Sequence, residues 1–247
     1  MAREIQDHYF RQAKREGYLS RAAYKLIEMD DRRSILHKGD CVLDCGCAPG
    51  SWLQVAARRI GPGGLVVGID LKPIRHRFDE PGAAPVHVVE CDLREIDAAE
   101  LLRFIAPAEA PGGAPEPDAA SAPRFDVVLS DMAPNTTGER VIDHHQSIRL
   151  AEAVLERCVE LLRPGGRMVM KVLEGEAYPD LLTRTGRLFA SARGFRPKAS
   201  RKMSTEIYVI GHGYRAEAGA EDLAQRSEHE PPKRRPSTGW GRGDPSG

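Results

Sequence analysis

The sequence predicts an α/β fold with a doubly wound, mostly parallel sheet. Three features carry that expectation. Runs of strand length alternate with amphipathic runs of helix length. The first three strand-like runs each close on an acid. The first of them leads straight into a glycine-containing loop. At 247 residues the chain is long enough for one full domain of this class, and 41% hydrophobic with 29% charged residues is an ordinary globular balance. Formal net charge is zero, so bulk charge gives no hint of a partner.

Taken in order, "SRAAYKLIEMDDR" starts on Ser20, an expected helix N-cap, and repeats apolar residues at Ala23, Leu26 and Ile27. "CVLDC" is a short buried strand. Residues 51–60 form a helix, and "GGLVVGID" and "PVHVVECD" form the second and third strands. Residues 106–123 hold seven Ala, five Pro and two Gly, a composition that packs no element and reads as a mobile surface insert. "FDVVLSD" is a fourth strand. Residues 143–163 form an amphipathic helix with Ile148, Ala151, Val154, Leu155, Cys158, Leu161 and Leu162 on one face, stopped by Pro164-Gly165-Gly166. "RMVMKVL" is a fifth strand, residues 178–192 a helix, and "GFRPKAS" with "EIYVIGH" a closing pair of strands. The domain is expected to span 1–213. Residues 214–247 are charged, rich in Pro and Gly, and are expected to be disordered.

Ligands of such sheets sit at the carboxyl ends of the strands, where Asp44, Asp70, Asp92 and Asp131 fall. The loop Gly46-Cys47-Ala48-Pro49-Gly50 lacks the third glycine of the pyrophosphate-binding turn, and an acid-lined crevice repels a pyrophosphate. It suits a cationic cofactor, with Asp70 placed for ribose hydroxyls and Asp92 for an adenine edge. S-adenosylmethionine meets those terms. A metal centre at Cys41, Cys45 and Cys47 is not expected. Cys41 and Cys45 end a five-residue strand roughly 13 Å apart, too far for one ion. They read as small buried hydrophobes, and Cys47 as a loop thiol whose alkylation a cofactor would affect.

Two lysines stand out. Lys25 lies among Ala23, Leu26 and Ile27, and Lys171 interrupts an apolar strand, where a lysine is costly unless paired or neutral. Strands four and five are neighbours in the doubly wound order, which brings Asp131 within reach of Lys171. Glu206 sits just before the last strand.

The blocks "REGYLSRAAYKL", "VLDCGCAPGSW", "SDMAPNTTG", "MVMKVLEGE" and "SRKMSTEIYVI" together resemble the FtsJ/RrmJ (RlmE) family of RNA ribose 2′-O-methyltransferases, in order over about residues 7–212. The resemblance implies a Rossmann-like methyltransferase fold with a seven-stranded sheet and an antiparallel closing strand. It places the family's catalytic tetrad on Lys25, Asp131, Lys171 and Glu206. It places the cofactor contacts on Gly50, Trp52, Asp70, Asp92 and Asp131. It also implies S-adenosylmethionine as methyl donor and a uridine of large-subunit ribosomal RNA as target, within the large ribosomal subunit. The sequence departs from the family pattern at Cys45, Cys47 and Ser51, in the 106–123 insert and in the tail, none of which touches the tetrad.

Lys171 is the expected base: burial and the Lys25 ammonium favour its neutral form, Asp131 and Glu206 position the two lysines and oppose that shift, and the sequence leaves the balance open. RNA phosphates are expected on a basic run of Arg184, Arg187, Arg193, Arg196, Lys198, Arg201 and Lys202, and on Arg11, Lys14, Arg15 and Arg21. Tyr18 and Tyr24 are open to base stacking or to core packing.

Other readings stay open: a tRNA ribose methyltransferase, a nucleotide-dependent oxidoreductase on the same fold, a non-catalytic ribosome-assembly protein that binds RNA, and a base-nitrogen methyltransferase. Against the last, Asp131-Met132-Ala133-Pro134-Asn135 lacks the aromatic that stacks a flipped base. Five cysteines, odd in number, suit a reducing cytoplasm, and a monomer is expected. "MAREIQDHYF" has acids and no apolar run, so it does not read as a signal peptide. No stretch approaches the roughly 20 apolar residues of a membrane span.

Overall fold

A computed structural model describes residues 2–106, 123–200 and 204–229. The elements run α1 (Ala2–Arg15), α2 (Ala23–Arg33), β1 (Cys41–Cys45), α3 (Ser51–Ile60), β2 (Leu65–Asp70), β3 (Val86–Glu90) and α4 (Ala98–Leu102). They continue as β4 (Phe125–Ser130), α5 (Arg140–Leu161), β5 (Leu162–Leu173), α6 (Tyr178–Leu188), β6 (Phe189–Phe195), β7 (Glu206–Tyr214) and α7 (Ala216–His229). The seven strands form one sheet in the order β3-β2-β1-β4-β5-β7-β6. The first five run parallel to one another, and β7 runs antiparallel to both β5 and β6. The strand order reverses between β1 and β4, and that break opens a crevice at their carboxyl ends.

A parallel sheet is buried on both faces, so its strands carry apolar side chains to two separate cores. In β1, Leu43 and Cys45 enter the core under α5 and α6, whereas Val42 enters the core under α2 and α3. Trp52, Leu53, Val55 and Ala56 cover the latter from α3. Cys45 is fully buried and half-buried Cys41 packs against the same core, so both serve as packing groups.

Five expectations change. Pro164-Gly165-Gly166 does not stop α5, which ends at Leu161, but lies within β5. Ser20 does not cap α2, which begins at Ala23; the Ser20 hydroxyl instead meets Ser51 at 2.8 Å and accepts the Ala22 N–H. The helix expected over 178–192 stops at Leu188, because Phe189–Phe195 pairs with the outer edge of β7 and satisfies its main-chain groups. Of "GFRPKAS", only Gly194 and Phe195 are strand. The tail expected to be disordered from 214 opens as α7, an Ala/Glu-rich helix tied to α6 by the Arg184–Asp222 ion pair. The 107–122 part of the insert and the tail beyond 229 lie outside the described residues.

Candidate active site

The register of β5 and β7 builds the centre of the site. It sets Lys171 opposite Tyr208 and Leu173 opposite Glu206, while the β4–β5 pairing sets Ser130 opposite Met170, so Asp131 falls beside Lys171. Lys171 Nζ lies 3.0 Å from Asp131 Oδ1 and donates to the Asp131 carbonyl at 2.5 Å. Lys25, on the first turn of α2, reaches Glu206 Oε2 at 3.0 Å and Tyr208 Oη at 3.0 Å. The Tyr208 hydroxyl in turn donates to Asp131 Oδ1 at 2.7 Å.

All four residues of the expected tetrad therefore meet. They meet as two ion pairs, and the Tyr208 hydroxyl joins them. Both lysines are buried, so each is held by its carboxylate in a place where an unpaired charge is expensive. Burial, then the charges of Asp131 and Glu206, push the Tyr208 phenol well above its ordinary range, so it stays a neutral donor. Sequence reasoning missed Tyr208. In "EIYVIGH" it looks like any aromatic of a buried strand.

Beside this network lies a cavity of about 320 Å³, walled by Gly46, Ala48, Asp70, Asp92, Asp131 and Met132 among others. Asp131 belongs to both. Asp70 is fixed by the Ala48 and Lys72 N–H groups, each 2.8 Å from one carboxylate oxygen. Asp92 is gripped by Arg94, whose guanidinium and N–H hold both oxygens and keep its carboxyl below the usual range. At Gly46, with φ +76°, a Cβ would stand 2.3 Å from Met132 Cγ, so the loop closes only without a side chain.

Gly50 and Trp52 stand back from this cavity. Gly50 is the left-handed N-cap of α3, under Phe78 and Leu19, and Trp52 is buried with its indole N–H on the Ala22 carbonyl at 2.9 Å. Trp52 thereby anchors the start of α2, three residues before Lys25. Cys47 is also buried, in the core between sheet and α3, and Cys91 is the thiol in the cavity wall.

Behind the wall, Asp44 is 1% exposed, and neither carboxylate oxygen has a hydrogen-bond partner among the described residues. Burial, with the Asp131 and Asp70 charges next, raises its pKa well above the ordinary carboxylate range. Asp44 lies outside the cavity lining, which sets Asp70, Asp92 and Asp131 against Lys72 and Arg94.

A second clamp shapes the loop after β5. His144 Nδ1 lies 2.7 Å from the Leu173 carbonyl and Nε2 lies 3.0 Å from the Ala177 N–H, a pattern that puts the proton on Nδ1. Ser147 Oγ accepts the Leu173 N–H, and a Cβ on Gly175 would strike the His144 ring. These contacts span 26–33 residues, so no local pattern announced them.

The expected basic run does not form one face. Arg184 pairs with Asp222 and Arg196 with Glu174, while Arg187, Arg193 and Lys198 are exposed. Arg201 and Lys202 lie outside the described residues. Tyr24 packs with Tyr9, Tyr18 and Ala13, its hydroxyl on Glu16, which favours the core role over base stacking.

Residues 18–214 match the profile of the FtsJ-like methyltransferase family. The chain is 46% identical over 211 residues to the ribosomal RNA large subunit methyltransferase E of Syntrophobacter fumaroxidans, covering 85% of this chain and 97% of the relative. It is 42% identical over 208 residues to the protein of that name from Halobacterium salinarum, covering 84% and 73%. A Plasmodium falciparum protein assigned as a ribosomal RNA methyltransferase superposes with a TM-score of 0.63 at 26% identity, over 80% of this chain and 98% of that one.

Proposed function

The chain belongs to the FtsJ-like methyltransferase family, and from that premise we propose that it transfers a methyl group from S-adenosylmethionine to a ribose 2′-hydroxyl, on a uridine of large-subunit ribosomal RNA. One observation carries the reading: Asp131 both walls the cavity and grips Lys171. A group bound in the cavity and a hydroxyl presented to Lys171 are thereby held next to each other. The names borne by the relatives favour ribosomal RNA over tRNA.

The residues present fit the cofactor. Asp44 is an orphaned buried carboxylate, and Asp70 and Asp92 line the cavity with lone pairs free for hydroxyl and amino donors. S-adenosylmethionine, when bound, supplies an electrophilic methyl carried on a sulfonium. Gly46 and Ala48 form the near wall, while Gly50 and Trp52 shape the loop and the start of α2 from behind.

Lys171 takes the ribose hydroxyl proton at Nζ. Only the neutral amine can accept it, so the ammonium first releases a proton to solvent, before the RNA covers the site, and Asp131 holds the amine in place throughout. Lys25 and Glu206, through Tyr208, hold Asp131 in turn. Lys171 is 8% exposed, so a seated hydroxyl meets Nζ with little competing water.

The test is transfer of labelled methyl to large-subunit ribosomal RNA, followed by mapping of the modified ribose. Label on a base, or none on RNA with the cofactor bound, counts against the proposal.

A further inference from the structure

We propose that the last turn of α2, together with β6 and β7, forms a subsite for RNA phosphates, distinct from the reaction centre. The inference rests on the RNA reading above and deepens it. A groove of about 280 Å³ lies there, lined by Arg32, Arg33, Ser34, Arg193, Phe195 and His212 among others, with no carboxylate in its wall.

The charge is built from three directions. Arg32 and Arg33 come from the end of α2, and both guanidiniums lie 5.9 Å from the Phe195 ring centre, which holds them over the groove. Arg193 projects from β6, exposed. His212 sits on β7 opposite Ser191 and Arg167. Among the described residues no ion pair engages Arg33 or Arg193, and Arg32, itself exposed, has a loose contact to the half-buried Glu28 at 3.5 Å. Arg167 beneath is matched by Asp40 at 2.9 Å. The cationic field is strong enough that Arg167, Arg33 and His37 add to burial in holding the His212 pKa below its usual value.

Cations at the end of a helix also serve its dipole, and that accounts for Arg32 and Arg33 alone. It leaves Arg193 and His212, which come from strands. Ser34 adds a second sign. It is the one residue other than glycine at positive φ among those described, at 50°, where glycine is the ordinary helix stop, and it is among the residues that line the groove.

A phosphodiester is the occupant that fits. Planar guanidinium forks pair with phosphate oxygens two at a time, and an exposed, acid-free cationic groove needs anions spaced along its length. Along α2, seven residues at 1.5 Å each put Arg32 about 10 Å further down the axis than Lys25. RNA leaving the reaction centre along α2 thus reaches the groove within a few nucleotides.

The test compares the parent with Arg33→Ala/Arg193→Ala, using a fluorescein-labelled single-stranded RNA for affinity and large-subunit ribosomal RNA for turnover. With two guanidiniums removed from the phosphates, affinity should fall about tenfold, and the slope of log affinity against log salt should become shallower by about 1.4. S-adenosylmethionine affinity and saturating turnover should stay at parent values, and Arg33→Lys/Arg193→Lys should restore the salt slope. If the parent methylates ribosomal RNA while the double variant matches its affinity and salt slope, the subsite is refuted; an acidic protein as occupant gives that result. A parent that transfers no methyl to RNA and binds it without salt dependence overturns the RNA reading itself, and this subsite with it.

Discussion

Asp44→Asn should stabilise the free protein and weaken its cofactor, two effects of opposite sign from one atom change. Asp44 is fully buried with both oxygens unpartnered among the described residues, and Asp131 and Asp70 add like charge. An unmatched buried polar group costs about 1–3 kcal/mol, and more when charged. Asn keeps the shape and removes the charge, so the variant should gain at least about 1 kcal/mol wherever Asp44 is ionised. At about 2–4 °C per kcal/mol for a chain of this size, that is a rise of several degrees in Tm.

The pH dependence has a definite sign. The folded pKa of Asp44 is raised, so its contribution to stability is whole below the unfolded value of about 3.9 and is lost as pH climbs through the folded value. The advantage of the variant should therefore be small in acid and grow as pH rises. Thermal melts across pH on the cofactor-free protein measure this, and calorimetric titration measures S-adenosylmethionine affinity, expected to fall tenfold or more. A Tm difference that is flat with pH, together with unchanged cofactor affinity, would show that the carboxylate is satisfied by some other route.

Lys171→Ala should lose about 10²–10⁴-fold in methyl transfer with cofactor affinity retained, and Lys171→Arg should fail as well, because a guanidinium does not give up its proton; single-turnover assays with labelled cofactor read both. Tyr208→Phe removes one hydroxyl that bonds two charged groups, so turnover should drop about ten- to hundredfold, and parent-like turnover would remove Tyr208 from the network. In the folded protein a maleimide should label half-buried Cys91 and spare Cys45, Cys47 and Cys158, with S-adenosylmethionine slowing Cys91 alone; peptide mass spectrometry would reveal protection at Cys47 instead. Gly46→Ala should lower cofactor affinity, since its Cβ meets Met132 at 2.3 Å and its φ of +76° disfavours any side chain; an unchanged titration would mean that the loop relaxes freely.

Much of this protein is written locally. Strand runs that end on Asp44, Asp70 and Asp92, a glycine loop after the first, and Lys171 alone in an apolar strand are short-range signals. They suffice for the doubly wound sheet, the acid-lined crevice and the Asp131–Lys171 pair. That is because neighbouring parallel strands follow from chain order and crossover handedness. Cys41 and Cys45 were legible as packing groups because the length of a strand forbids a shared ion.

Tertiary structure decided what depends on partners far apart in the chain. Lys25 and Glu206 are 181 residues apart, and only the antiparallel return of β7 makes them a pair, with Tyr208 between them and Asp131. Hydrophobic alternation shows that a side chain is buried and leaves open which neighbour it meets, so Trp52 proved to brace α2 and Cys47 turned into the core. Residues 189–192 read as helix by themselves and became strand because an unpaired sheet edge next to them needed hydrogen bonds. The residue types that do the chemistry are fixed by local sequence, while their pairing is a long-range packing result, since each buried lysine is tolerable only where the fold brings it a carboxylate.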